Sequence, residues 1–252
     1  MSIASKIFGK KTRNTAPKQN SCAALILSAG SSTRMKLENN QSKQFLTLKD
    51  IPLLAHTLKA FQNSPDISEI VVVARVEDFN MISQLAKDFG ISKLKNIVAG
   101  GDTRADSSLH GILELDGRCD FVAVHDGARP LVTQKVIHET VSAAIAHGAA
   151  APGIQPNDTI KEIGADGFVI TTHDRSRLRM IQTPQVFKFD LLKRALLYVK
   201  ENKLAVTDDC SAVEYLNHPV YITQGDPENI KVTSGRDVEI CEQILDARED
   251  SI

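Results

Sequence analysis

Several short clusters put cations and small residues where an anion could be handled. The segment Ser28-Ala-Gly-Ser-Ser-Thr-Arg-Met35 follows an apolar run. Small residues such as Ala29 and Gly30 let backbone N–H groups come close to a polyphosphate. Arg34 adds a fixed cation at the mouth of that loop, and Lys43 adds a second a few residues on. An Arg and a Lys beside a small-residue loop suit charge that develops on a transferring phosphoryl group. The pattern is neither G-x-G-x-x-G nor a P-loop, since no Gly-Lys-Ser/Thr follows. A simple turn with two solvated surface cations is the plainer reading of the same residues. Downstream, Phe121-Val-Ala-Val-His-Asp-Gly-Ala-Arg-Pro130 runs from an apolar strand straight into charge. Asp126 at that edge could hold Mg²⁺, which binds oxygen and keeps several waters. Alternatively, Asp126 and Arg129 form an ion pair that ends the strand. His125 reads as a packed or hydrogen-bonded strand residue rather than a base. Four smaller clusters, Gly100-Gly-Asp-Thr-Arg-Ala-Asp-Ser107, Asp174-Arg175, Thr207-Asp208-Asp209 and Asn229-Ile-Lys-Val-Thr233, are each ambiguous alone.

The elements that must position these residues are legible in the hydrophobic pattern. Apolar runs of strand length recur at 22–27, 70–74, 121–124 and 149–154. Between them lie stripes with helical spacing: Leu53, Leu54, Leu58 and Phe61, then Phe79, Ile82, Leu85, Ala86 and Phe89. Continuous apolar strands alternating with helices predict a doubly wound α/β fold, its mostly parallel sheet buried on both faces. In such sheets, ligands bind at the carboxyl ends of the strands. One segment breaks the alternation. Two short strands, 159–163 and 168–172, flank Gly164-Ala-Asp-Gly167, a hairpin signal. A hairpin with so poor a core must pack on something else, and a second subunit is one candidate. Helices are expected over 188–201, after Thr207 as the capping residue, and over 236–247.

The 252 residues carry 30 Lys+Arg against 31 Asp+Glu, with 42% hydrophobic and 24% charged residues. This is the composition of one ordinary globular chain. A net charge of -1, no Trp and three Tyr argue against a nucleic-acid platform. No apolar run approaches the length of a membrane span. Four cysteines without a C-x-x-C pair read as buried thiols in a reducing compartment. Met1 to Asn20 holds five basic residues and no acid, so it carries +5 and leaves -6 on the rest. Residues 1–20 read as a solvated leader, with a transit peptide as the alternative. Residues 21–252 read as one domain with a hairpin arm over about 157–177.

Taken together and in this order, the clusters resemble the 2-C-methyl-D-erythritol 4-phosphate cytidylyltransferases of the non-mevalonate isoprenoid pathway. Residues 28–35 follow that family's Ala-Ala-Gly-x-Gly-x-Arg-Met loop, with Ser32 in place of its second Gly. Ser42-Lys-Gln44 follows Pro-Lys-Gln with Ser for Pro, after a longer stretch at 37–41. His125 to Pro130, Gly101 to Ser107, Thr183-Pro-Gln185, Thr207-Asp208 and Asn229 to Thr233 keep step.

The resemblance implies a Rossmann-like nucleotidyltransferase fold, CTP and a polyol phosphate as substrates, and release of pyrophosphate. It implies that Arg34 and Lys43 stabilise the transition state, with Mg²⁺ at Asp126 bridging triphosphate oxygens. Lys231 and Arg175 would hold the attacking phosphate, and Thr159, Thr207 and Asp208 the alcohol. Gly101 and Ser107 would read cytosine, with Ala29, Gly30, Asp102 and Arg129 as further substrate-binding positions. The hairpin would be the dimerisation arm of a homodimer, carrying Thr159 and Arg175 into the neighbour's site. The site of action would be the cytoplasm, or a plastid-type stroma if the leader is a transit peptide. A ribitol-5-phosphate cytidylyltransferase and a non-catalytic nucleotide-binding protein on the same scaffold are the alternatives.

Overall fold

The computed structural model describes residues 20–30, 42–115, 117 and 119–249. The leader expected over 1–20, apart from Asn20, lies outside the described residues, and so does the loop 31–41 with Ser32 and Arg34.

The chain builds one mixed sheet, largely parallel. Its centre is β1 (Cys22–Leu27), flanked in parallel by β4 (Ile67–Ala74) and β6 (Phe121–Asp126), with β5 (Leu94–Ala99) outside β4. Beyond β6 comes β11 (Gln185–Lys188), antiparallel to it, and then β7 (Ala149–Ile154). β10 (Met180–Ile181) runs along the same side of β7 as β11, two registers of one interrupted strand. β12 (Tyr221–Gln224) closes the far side of β7 in parallel.

Alternation along each central strand sorts its side chains onto two helical layers. Ala24 and Ile26 of β1 face α1 (Leu53–Asn63), α2 (Phe79–Asp88) and α4 (Gln134–His147), in a core that includes Leu58, Phe61, Ile82 and Ile137. Ala23 and Leu25 face α3 (Arg104–Glu114), α5 (Phe189–Glu201) and α6 (Asp209–Glu214), packing with Ile112, Leu192, Leu196 and Val213. The predicted stripe positions Leu53, Leu54, Leu58 and Phe61 are all fully buried. α4 stops where Gly148 turns left-handed at φ 89°, a conformation that favours glycine at a helix end. A third, smaller core joins Leu48, Leu53, Leu131 and Val232 to Cys241 of α7 (Gly235–Glu249). Leu48 belongs to a minimal hairpin of β2 (Thr47–Leu48) and β3 (Ile51–Pro52).

β5 was not visible as an apolar run because Lys95 and Asn96 interrupt it, as suits the exposed edge of a sheet. The arm forms as expected, with β8 (Lys161–Ile163) antiparallel to β9 (Val169–Thr172), every residue of both exposed. The start of α6 corrects one expectation. Asp208, not Thr207, is the N-cap: its carboxylate accepts from the Ser211 N–H at 2.9 Å in a capping box. The four cysteines are free and buried. No described helix is long and apolar enough to cross a membrane.

Candidate active site

A cavity of about 470 Å³ opens at the carboxyl ends of β1, β5 and β6. Four stretches of chain, distant in sequence, build it. After β1, the backbone of Ser28, Ala29 and Gly30 forms one wall. After β5, Gly101 to Arg104 leads into the N-terminus of α3, which favours anions. A Cβ on Gly101 would stand 2.4 Å from the Asp106 Cβ, so this close approach requires glycine. The Gly101 N–H donates to Ser107 Oγ at 3.1 Å, which fixes the loop against the helix. Thr103 caps α3 by accepting from the Asp106 N–H at 3.0 Å.

The third stretch contributes Asp126, the last residue of β6, which is 8% exposed. Its Oδ2 lies 2.8 Å from Lys231 Nζ and 3.6 Å from Arg129 Nε, and its Oδ1 lies 3.7 Å from Arg104 Nε. Burial opposes its ionisation, but Lys231, Arg104 and Arg129 outweigh burial and hold the carboxyl well below the usual carboxylate range. The fourth stretch carries Lys231 on a strap pinned on either side of it. Arg129 Nη1 donates to the Asn229 carbonyl at 2.6 Å, Asn229 Nδ2 to the Thr183 carbonyl at 2.9 Å, and the Val232 N–H to the Ala128 carbonyl at 2.8 Å. Lys43 Nζ donates to the Val232 carbonyl at 3.2 Å, so the two lysines converge on one side of the cavity.

Behind Asp126, His125 is fully buried between Thr183 Oγ1 at 2.9 Å and the Arg129 carbonyl at 3.2 Å. Burial lowers its pKa to about 4, so it is a neutral packing residue, as the sequence suggested. The arrangement concentrates positive charge around a buried carboxylate and two backbone loops. It can bind a polyanion and neutralise charge on it.

Of the positions singled out from sequence, Ala29, Gly30, Lys43, Gly101, Asp102, Ser107, Asp126 and Lys231 line this cavity together. Arg129 does not line it; its guanidinium holds Asp126 and the Asn229 strap from behind. The ion pair read from the sequence is present, with Asp126 and Arg129 paired at the edge of the cavity. Thr159, Arg175 and Thr207 are exposed and outside the cavity of the single chain. Arg175 donates to the Asn157 carbonyl at the base of the arm. Asp208, besides capping α6, accepts from Gln185 Nε2 at 2.8 Å.

Sequence reasoning missed Arg104. Its Nη1 sits 2.6 Å from Oδ2 of the fully buried Asp209, which holds the guanidinium between α6 and Asp126. The signal was present inside Gly100-Gly-Asp-Thr-Arg104, but its partners lie 22 and 105 residues away in sequence.

A divalent cation fits here only in part. Among the described residues no three His, Cys, Asp or Glu side chains gather as a metal site. A single carboxylate beside a phosphate cavity is nonetheless a donor set that Mg²⁺ accepts, since it takes one or two carboxylates plus substrate phosphates.

The chain matches the family model described as IspD, 2-C-methyl-D-erythritol 4-phosphate cytidylyltransferase, over residues 22–247. It is 40% identical over 228 residues to the 2-C-methyl-D-erythritol 4-phosphate cytidylyltransferase of Pelotomaculum thermopropionicum, covering 90% of this chain and 95% of that one. The enzyme of the same name from Clostridium acetobutylicum is 39% identical over 223 residues, covering 88% and 96%. The crystal structure of 4-diphosphocytidyl-2C-methyl-D-erythritol synthase from Anaerococcus prevotii superposes with a TM-score of 0.81 at 26% identity, covering 90% of this chain and 96% of that one.

Proposed function

Because the chain belongs to the 2-C-methyl-D-erythritol 4-phosphate cytidylyltransferase family, we propose how its residues divide the work of that reaction. The enzyme transfers CMP from CTP to 2-C-methyl-D-erythritol 4-phosphate, with release of pyrophosphate, in non-mevalonate isoprenoid precursor synthesis. A phosphate oxygen of the polyol attacks the α-phosphorus in line, and the bond from that phosphorus to the bridging oxygen of pyrophosphate breaks. Two anions must meet, so the protein's contribution is positioning and charge neutralisation.

The observation that carries this assignment is Asp126, buried and ringed by Lys231, Arg104 and Arg129 at the mouth of the cavity. The Ala29 and Gly30 backbone would receive the triphosphate, while Gly101, Asp102 and Ser107 take the cytidine. Lys43, together with Arg34 of the loop outside the described residues, would meet charge as it develops. Lys231 would hold the attacking phosphate, and Arg129 would keep Asp126 and the strap in register. Mg²⁺, held by Asp126 and triphosphate oxygens, would supply further neutralisation of the phosphates. Arg104, anchored by Asp209, would add a cation to the same wall.

The remaining residues, Arg175, Thr159, Thr207 and Asp208, fit an assembly better than a single chain. Ile163, Phe168, Val169 and Ile170 of the arm are apolar and exposed, which supports a twofold homodimer in which each arm covers the neighbour's cavity. Arg175 and Thr159 would then act on the neighbour's polyol phosphate, beside that subunit's Thr207 and Asp208. The bacterial source of the matched relatives supports the cytoplasm as the site of action.

Pyrophosphate release by the full chain tests the reading, with CTP and either methylerythritol phosphate or ribitol 5-phosphate. Turnover is expected with methylerythritol phosphate alone, and with CTP well above UTP. Equal turnover with ribitol 5-phosphate would move the substrate assignment. No release with either alcohol would make the cavity a binding site only.

A further inference from the structure

We propose that Asp78 is the positioning residue that seats Lys43 in the phosphate cavity, and that Ser42 is one of the two side chains through which it does so. The proposal rests on the reading that Lys43 meets the triphosphate. Lys43 stands on a single 3₁₀ turn, Lys43–Phe45. That turn holds itself with two backbone bonds, Phe45 N–H to the Ser42 carbonyl at 3.0 Å and Leu46 N–H to the Lys43 carbonyl at 3.1 Å. So short a turn depends on tertiary partners for its orientation.

The residues on either side of Lys43 supply them. Ser42 Oγ and Gln44 Nε2 each donate to Asp78 Oδ2 at 2.8 Å. Arg75 fixes the same carboxylate, with Nε 3.0 Å from Oδ2 and Nη2 3.2 Å from Oδ1, and Nη2 also contacts Ser42 Oγ. Ser42, Gln44 and Asp78 are all less than 5% exposed. Hydrogen bonds to a buried carboxylate are short and directional, which makes them suited to fixing a geometry.

Two details distinguish a seat for Lys43 from ordinary packing. Asp78 closes the 3₁₀ turn Val76–Asp78 that leads into α2 at helical angles, φ -88° and ψ -10°, so its side chain is free of any capping duty and makes no capping bond. Its Oδ2 is turned to the Lys43 turn, while its Oδ1 accepts from Arg75. Ser42 has φ -77° and ψ 131°, angles open to proline, the residue that the family motif carries there. The hydroxyl bond to Asp78 and a proline ring are thus two means of holding the same backbone ahead of Lys43.

The experiment compares Asp78→Ala, Ser42→Ala, Ser42→Pro, Lys43→Ala and the double variant Lys43→Ala/Asp78→Ala. It reads kcat, the KM for CTP and the melting temperature. Asp78→Ala is expected to lower kcat on the order of tenfold to a hundredfold, the scale of a misplaced reacting group, with little change in KM. Ser42→Ala should lose less, and Ser42→Pro should restore it. Adding Asp78→Ala to Lys43→Ala should cost little more, because a residue acting through Lys43 has nothing left to position. Full additivity in the double variant, or a Ser42→Pro enzyme as slow as Ser42→Ala, overturns the seat while leaving the role of Lys43 intact. A Lys43→Ala enzyme with full kcat overturns that role and the seat with it. The two Ser42 variants keep the test decisive should Asp78→Ala fail to fold.

Discussion

In the cavity, Gln44, Ser107 and Asp126 are under a tenth exposed although they are polar or charged. In the arm, Ile163, Phe168, Val169 and Ile170 are more than half exposed although they are apolar. Each region inverts the usual partition of side chains, and for different reasons. The cavity's polar groups are buried because the chain itself supplies their partners, often from far away in sequence, as Lys231 does for Asp126. The arm's apolar groups are bare because nothing among the described residues covers them, and a two-stranded hairpin is at best marginal alone in water. The cavity's polar groups find partners within the chain, whereas the arm's apolar groups find none among the described residues and are the surface that the proposed homodimer would cover.

The largest effect expected from that contrast is on catalysis across the proposed twofold. Lys231→Ala and Arg175→Ala should each lower kcat severely, since loss of one donor to developing charge costs about 2.7–4 kcal/mol. Mixed and allowed to exchange, the two variants should recover roughly a quarter of the wild-type rate, because half the dimers then hold one intact site. Demonstrated exchange without recovery would assign Arg175 to its own subunit.

A second effect belongs to the packing behind Asp126 alone. His125 has its folded pKa lowered from 6.5 to about 4, chiefly by burial. Between those values the unfolded chain binds a proton that the folded chain refuses. The stability from a neutral His125 is therefore full above pH 6.5 and is lost as pH falls towards 4, by roughly 3 kcal/mol. Urea unfolding at pH 7.5 and 4.5 should show a markedly smaller loss for His125→Asn than for the wild type. Equal losses would mean that His125 is not the group responsible.

The smallest effect concerns the arm's bare surface. Phe168→Asp should weaken self-association at least tenfold, about 1.4 kcal/mol, while leaving the melting temperature of the subunit unchanged. Sedimentation over a dilution series checks this. A fall in melting temperature without a change in association would mean that Phe168 packs within its own chain.

The sequence made the strands of the central sheet legible because they are continuous apolar runs, and it made the arm legible because Gly164-Ala-Asp-Gly167 is turn chemistry. Two of its clusters, at 28–30 and at 125–126, stand at the ends of legible strands and meet at the cavity. It was blind to pairings set by the fold. Arg104 carries no local mark of its bonds to Asp126 and Asp209, and Asp78 carries none of its hold on Ser42 and Gln44. Thr207 and Asp208 are both good capping types, and only the backbone of α6 selects the second.

The pairing of β10 with β7 has a consequence for how the enzyme is put together. Met180 lies opposite Ile154 and Ile181 opposite Gly153, so the chain leaves the sheet and rejoins it at neighbouring points. Residues 155–179 form an excursion whose base is already closed. In the proposed homodimer each subunit could therefore finish folding without waiting for its neighbour, and two finished subunits could meet and part without melting. An enzyme assembled in that way has a rate per molecule that depends on how much of it a cell makes. If the proposed homodimer shares its sites, dilution below its dissociation constant would silence the enzyme, and doubling its synthesis near that threshold would more than double the flux.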